Sequence, residues 1–233
     1  MKPLLRACCL AAAVTLTGCA TTSGTPSQQD PWEGFNRSMF SFNEGLDKAV
    51  IKPVAQGYDA VAPDPVKTGV SNFFSNIGDV FIGVNNLLQG KVGDAASDAG
   101  RVLVNTTIGI LGLIDWASDM GLEKHDEDFG QTFGRWGIGS GPYVVLPFFG
   151  PRTLRDSVGL AADLNTDPVA KMHAVPERNT LLTTRVVDQR ADLLPAEKVI
   201  EGAALDKYTY IRDAYLQRRE RLVNDGKAAK SQD

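Results

Sequence analysis

The chain has 233 residues, 43% of them hydrophobic and 22% charged, with a net charge of −4. That composition supports at least one sizeable core and excludes a disordered tail. Three cysteines and two histidines exclude a four-cysteine zinc site and make a disulfide framework implausible, and the acidic balance argues against nucleic acid as a partner.

The first element is an address. Lys2 and Arg6 precede a mostly apolar run over residues 7–16, followed by Leu16-Thr17-Gly18-Cys19. A basic start, about ten apolar residues and small residues at a cleavage point form a secretory signal, too short to span a bilayer. The four closing residues resemble the bacterial lipobox, which implies cleavage before Cys19 and acylation of Cys19. Cys8 and Cys9 then leave with the signal, so the mature chain has no free thiol and no cysteine nucleophile. Loss of Lys2 and Arg6 leaves 22 basic against 28 acidic side chains, a net charge of −6. Two or three acyl chains anchor effectively permanently. Ala20 stands where an inner-membrane retention signal would place an acid, which favours the outer membrane. Residues 19–29 read as a lipidated polar tether and residues 226–233 as a polar tail.

A single mainly α domain is expected over residues 30–225. Asp30-Pro31-Trp32-Glu33 reads as a capping box, with Trp32, Phe35, Met39, Phe42, Leu46 and Ala49 on one helical face until Pro53. After Pro63-Asp64-Pro65 a second helix carries Val70, Phe73, Ile77, Val80 or Phe81, Val84 and Leu87 at the same period and stops at Gln89-Gly90. A third runs over about residues 92–104. Residues 102–114 form the most apolar stretch of the mature chain, yet hold Asn105, Thr106 and Thr107. Residues 121–151 contain seven glycines and three prolines, and predict an extended or hairpin segment near residues 137–150. Pro151 is expected to open a helix bearing Leu154, Val158, Ala161 and Leu164. Two last helices are expected over residues 181–194 and 195–224.

Catalytic signatures are weak. His125-Asp126-Glu127-Asp128 reads as a solvated loop rather than a metal site, and His173 lies in a proline-rich loop of its own. Gly137-Ile138-Gly139-Ser140-Gly141 misses the nucleophile-elbow frame by one residue and also fails the dinucleotide spacing. Asp156 and Asp163, seven apart, suit structural ion pairs better than acid–base work. No catalytic residue, metal or cofactor is assigned. Arg218, Arg219 and Arg221 read as a solvated helix face in preference to a head-group contact. For Trp32, Phe35, Phe40 and Phe42, core packing and an interfacial membrane role are equally open.

Ordered blocks then point to a family. Asp30-Pro31-Trp32-Glu33-Gly34-Phe35-Asn36-Arg37 is followed by Phe42-Asn43, Lys52-Pro53-Val54-Ala55, Val70-Ser71-Asn72-Phe73, Asn86-Leu87-Leu88-Gln89-Gly90 and Asn105-Thr106-Thr107-Ile108-Gly109. Asp128-Phe129-Gly130-Gln131-Thr132-Phe133-Gly134, Gly141-Pro142-Tyr143-Val144-Val145-Leu146-Pro147 and Gly150-Pro151-Arg152 continue the series. With the lipobox, these resemble the MlaA (VacJ) lipoproteins of the system that maintains outer-membrane lipid asymmetry. The resemblance implies a ring-like helical protein in the inner leaflet of the outer membrane, with an amphipathic channel. It implies removal of mislocalised phospholipid from the outer leaflet, transfer to a periplasmic carrier, contact with trimeric porins, and no enzymatic activity.

Within that reading, Asn105, Thr106 and Thr107 are candidates to line the channel, against the plainer alternative that they hydrogen-bond a helix end. Gly137, Gly139, Gly141 and Pro142 are candidates for a gate, against rigid tight turns. A structural adaptor lipoprotein and a lipid-modifying enzyme are the competing functions.

Overall fold

A computed structural model describes residues 29–203 and 205–226. The signal, Cys19, the tether up to residue 28 and the tail from residue 227 lie outside the described residues. The fold is mainly helical with one small hairpin, as expected. Helix α1 spans Glu33–Leu46, a π-turn Asp47–Ile51, α2 Lys52–Val61, α3 Asp64–Leu88 and α4 Val92–Thr107. A short α5, Trp116–Asp119, and α6, Phe129–Arg135, lead to strands β1, Tyr143–Leu146, and β2, Gly150–Thr153. Helices α7, Leu154–Thr166, α8, Val175–Asp192, α9, Leu194–Ala203, and α10, Lys207–Val223, follow. Among the described residues no helix is long and apolar enough to cross a membrane.

Several local expectations are corrected. Asp30 does not cap α1: its carboxylate accepts from Asn36 Nδ2 at 2.8 Å and from Tyr208 Oη at 2.5 Å, and Trp32 is the N-cap. Glu33 instead takes Arg37 Nε at 2.8 Å, one turn along. Pro53 does not end the first helix. A proline has no N–H and crowds the carbonyl four residues back; the widened π-turn just before it absorbs both defects, and Pro53 falls in the first turn of α2. Pro151 lies in β2, and α7 is opened by Thr153, whose hydroxyl accepts from Asp156 N–H at 3.2 Å. The C-terminal region holds three helices rather than two. Val175-Pro176 opens α8, and Asp206 caps α10 by accepting from Tyr208 N–H at 3.1 Å.

The hairpin pairs Tyr143 with Thr153 and Leu146 with Gly150, antiparallel. Two asparagines seven apart on α1 hold it. Asn36 donates to Tyr143 O at 3.1 Å and accepts from Val145 N–H at 2.9 Å. Asn43 donates to Leu146 O at 2.9 Å and accepts from Phe148 N–H at 2.8 Å. Each side-chain amide thus satisfies both groups of the open strand edge, in the manner of a neighbouring strand. The apolar core beside it is small: Tyr143, Val145 and Tyr208, with Met39, Phe40, Tyr215 and Leu216 around them.

The larger pattern is inverted. Among the described residues, eight hydrophobic side chains are buried against fifteen polar or charged ones. Much of the periodic stripes read from the sequence points outward: Trp32 at the N-cap and Phe35 and Phe42 on α1, Val80, Val84 and Leu87 on α3, and Leu154, Val158 and Leu164 on α7 are exposed, while Met39, Leu46, Val70, Phe73 and Ile77 are half-buried. Asn36 is the buried residue of α1, and Asn76, Asp79, Gly83, Asn85 and Asn86 those of α3. A water-soluble fold spends its helical period the other way round.

Candidate functional site

The polar interior forms two networks. In the first, α3 packs along α4 and the segment after it. Arg101, 1% exposed, donates from Nε to Asp79 Oδ2 at 3.1 Å and from Nη2 to Asp115 Oδ1 and Oδ2 at 3.1 and 3.0 Å. Lys124 Nζ reaches Asp79 Oδ1 at 2.7 Å. Burial raises the Asp115 carboxyl, but hydrogen bonds from Ser118, Asn105 and Arg101 outweigh it and hold it well below the usual carboxylate range.

The predicted polar lining sits at this network. Asn105 is buried, donates to Asp115 Oδ1 at 2.8 Å and accepts from Ala117 N–H at 2.9 Å. Thr106 Oγ1 accepts from Asn76 Nδ2 at 2.9 Å, and Thr107 Oγ1 donates to Leu103 O at 2.6 Å, back onto its own helix. The Asn105 bonds pin down the segment over residues 108–116. There Ile108, Ile110, Leu111, Leu113, Ile114 and Trp116 are all exposed. Ile110 and Leu111 adopt positive φ of 54° and 58°, a conformation that side chains disfavour and that the surrounding bonds must enforce.

In the second network, α6, α7 and α10 meet around Arg219. Its Nη1 donates to Asp128 Oδ2 at 2.6 Å and its Nε to Asp156 Oδ2 at 3.1 Å. Tyr215 Oη donates to Asp156 Oδ2 at 2.7 Å, and Arg155 Nη2 to Asp156 Oδ1 at 3.0 Å. Arg219 is therefore not part of a solvated basic face. The arginine cluster divides, because Arg218, one residue earlier on the helix, turns outward to Asp126 at 2.8 Å. Burial raises the Asp128 and Asp156 carboxyls, but Arg219 together with the Gln131 N–H at Asp128, and Arg219 together with Tyr215 and Arg155 at Asp156, outweigh it, so both stay below the usual range. Asp163 differs: burial lifts it to about 6, against the one hydrogen bond it accepts from Phe129 N–H at 3.2 Å. Burial and the Asp156 carboxylate push the Tyr215 phenol up. Asp156 thus makes the structural ion pairs expected of it, whereas Asp163 pairs with no cation among the described residues and instead accepts the Phe129 N–H.

The gate candidates border this second network. Gly141 and Ser140 line a cavity of about 460 Å³ with Thr153, Arg155, Gln217 and Arg219. Gly137 and Gly141 adopt φ of 91° and 67°, open to glycine at little cost. A Cβ at Gly141 would meet Leu154 Cβ at 3.1 Å, whereas Gly137 and Gly139 have open space. Ser140 O accepts from Arg155 N–H at 3.1 Å and Pro142 O from Leu154 N–H at 3.0 Å, tying the segment to the start of α7. Gly141 and Pro142 therefore adjoin the Arg219 network, while Gly137 and Gly139 do not line its cavity; of the lining candidates Asn105 bonds into the Arg101 network, and Thr106 and Thr107 bond Asn76 and their own helix.

His125 Nδ1 lies 2.7 Å from Asp98 Oδ1, and Asn86 Nδ2 donates to Asp98 Oδ2 at 2.7 Å. Among the described residues, no group of three or more His, Cys, Asp or Glu side chains is arranged to hold a metal ion.

Comparison with known proteins places these features in a group. Residues 28–222 match the MlaA lipoprotein family. The "Intermembrane phospholipid transport system lipoprotein MlaA" of Escherichia coli (strain K12) is 38% identical over 229 residues, covering 95% of this chain and 90% of that protein. The protein of the same name from Haemophilus influenzae is 32% identical, over 96% and 92% of the two chains. A solved structure described under "Structural basis for maintenance of bacterial outer membrane lipid asymmetry" superposes with a TM-score of 0.73 at 35% identity, covering 84% of this chain and 99% of that one. The chain belongs to the MlaA lipoprotein family.

Proposed function

We propose that this protein is an outer-membrane lipoprotein that takes phospholipid mislocalised to the outer leaflet, passes it through an amphipathic channel and delivers it to a periplasmic carrier, without covalent chemistry. Cys19 is its lipid anchor, the inner leaflet is its seat and trimeric porins are its neighbours. The observation that carries the reading is the inverted burial: a polar, ion-paired interior beneath an apolar exterior, in a chain whose described helices are too short or too polar to cross a membrane. Moving a zwitterionic or anionic head group through hydrocarbon costs its hydration, so a transporter must offer polar groups past an apolar rim. The family relatives are named for intermembrane phospholipid transport, which points the same way.

In this mechanism the apolar exterior meets acyl chains, and the cavity beside Gly141 offers head groups a polar path. Asn105, Thr106 and Thr107 are proposed as polar lining, and residues 137–142 as the gate. The test is the phospholipid content of the outer leaflet in cells with and without the protein. Accumulation on its loss supports transport; unchanged asymmetry would leave only an adaptor that tethers other envelope proteins.

A further inference from the structure

The cavity beside Gly141 carries both signs of charge on its walls, Arg155 and Arg219 against Asp213 and Glu220. Its cations are already committed within the protein. Nε, Nη1 and Nη2 of Arg219 all reach Asp128 or Asp156, and Arg155 donates from Nε and Nη2 to Asp156 Oδ1 at 3.1 and 3.0 Å. Asp213 is met by Arg212 Nε at 2.9 Å. With these direct partners included, the three cations Arg155, Arg212 and Arg219 stand against the four acids Asp128, Asp156, Asp213 and Glu220. Glu220 is the acid left over: it is exposed on α10 and has no ion-pair partner among the described residues. The wall itself is neutral, and with its partners it is acidic, so on neither count does it favour a net anion.

A second observation concerns a donor. Arg155, with a side chain 7% exposed, turns its remaining nitrogen, Nη1, to Ile138 O at a long 3.4 Å. A buried cationic donor so loosely met has room for a better acceptor. The same Nη1 and Val223 Cγ1 each lie 2.8 Å from the point where a Gly134 Cβ would stand. Val223 lines the cavity and follows Glu220 by three residues, one turn along α10. A loosely met guanidinium donor and an unpaired carboxylate therefore flank the same end of the cavity. Its apolar walls are Leu216 and Val223, and among the described residues no aromatic ring lines it.

We propose that this cavity selects a glycerophospholipid whose head ends in a primary ammonium, with the ammonium at Glu220 and a phosphate oxygen at Arg155 Nη1. A primary ammonium donates hydrogen bonds to a carboxylate; a quaternary one has none to donate and is ordinarily held by aromatic faces, which this wall lacks. The phosphate gains a charge-assisted bond from Nη1. A head that bears the phosphate without an amine gains that bond alone and leaves Glu220 unpaired and repelling it. The inference rests on the transport reading and deepens it by naming the class of head group carried.

The experiment places the full-length lipidated protein in nanodiscs of phosphatidylcholine and phosphatidylglycerol containing phosphatidylethanolamine. A carbodiimide joins the lipid amine to a carboxylate it touches, and mass spectrometry locates the amide. Coupling at Glu220 is expected to exceed coupling at Glu123, an exposed acid outside this cavity, by roughly five-fold, the equivalent of one well-formed ion pair. It should fall by a similar factor in Gln217→Trp, which narrows the cavity from an exposed position on α10. As a second readout, protein extracted in detergent from vesicles of equal phosphatidylethanolamine and phosphatidylglycerol should retain more of the first. Glu220→Lys, at an exposed position that spares the packing, should reverse that order. Coupling at Glu220 no greater than at Glu123, or unchanged in Gln217→Trp, overturns the proposal, as does a retained-lipid ratio that Glu220→Lys leaves unaltered. Outer-leaflet phospholipid in cells with and without the protein separates the two readings. Accumulation on loss of the protein, with no selective coupling, refutes only head-group selection, whereas selective coupling in a protein whose loss leaves asymmetry unchanged refutes only transport.

Discussion

Arg101 and Asp79, on neighbouring helices and each with a side chain 1% exposed, form an ion pair at 3.1 Å with no aqueous side. Removing one member of such a pair leaves a buried charge uncompensated, at a cost of about 3–5 kcal/mol. Arg101→Met is therefore expected to lower unfolding stability in detergent by that amount, measured by circular dichroism. Adding Asp79→Leu should recover little of the loss, because Lys124 still pairs with Asp79 in the single variant and would itself lose that partner in the double.

Asp163 makes stability depend on pH in the opposite sense to an ordinary paired carboxylate. Its folded pKa of about 6 lies above the unfolded value near 3.9, so the group favours the folded state at low pH and its contribution is lost as pH rises through 6. Asp163→Asn keeps an acceptor for Phe129 N–H and removes the charge. The variant should be more stable than the parent by about 1–2 kcal/mol at pH 7.5, after allowance for solvent screening, and by roughly a third of that at pH 4.5. Equal stability of the two proteins at pH 7.5 would contradict the burial argument.

Helices α6 and α7 meet at Gly159, where a Cβ would lie 2.4 Å from the Gly130 nitrogen. Gly159→Ala must push the helices apart and is expected to destabilise by about 3 kcal/mol, the upper end of overpacking costs. The displacement should also loosen Arg219 from Asp128 and Asp156, seen as faster amide exchange in α6.

The segment over residues 108–116 presents Ile110 at 60% and Leu111 at 67% exposure. Each such side chain entering hydrocarbon gains on the order of 1.5 kcal/mol. Ile110→Asp with Leu111→Asp, made in a chain lacking acylation through Cys19→Ser, should weaken vesicle binding at least ten-fold in a flotation assay, while leaving the far-ultraviolet circular dichroism unchanged.

Gly141→Leu places a branched side chain where φ is 67° and Leu154 is already close. Under the gating reading this variant raises outer-leaflet phospholipid at normal protein level, measured by labelling intact cells. Unchanged lipid asymmetry at normal level would count against the gate.

The sequence was legible wherever local chemistry decided the outcome. Pro65 and Gln89-Gly90 bracketed α3, and the glycine- and proline-rich stretch contained the hairpin. Asp30 misled because its carboxylate is claimed by Tyr208 and Arg212, about 180 residues away, and local capping rules are blind to such partners. The facing of the helices misled for a different reason. A helix with an apolar stripe has a polar stripe opposite, and periodicity alone does not tell which side meets the protein. The signal was nevertheless present: Asn76, Asp79, Gly83 and Asn86 recur at intervals of three and four on α3, as do Ala95, Asp98, Arg101 and Asn105 on α4. Polar residues at a helical period, with no solvent-facing reason for it, mark the interior of this protein.

The inside-out burial also reverses which positions are mutable. In a water-soluble domain an asparagine on a helix is cheap to replace and a leucine in the stripe is not. In this chain Asn36 is fixed by hydrogen bonds to the hairpin backbone and is expected to tolerate few substitutes, whereas Val84 and Leu87 are exposed and should tolerate many. A saturation screen read by the usual rule would therefore mistake the scaffold of this protein for its surface.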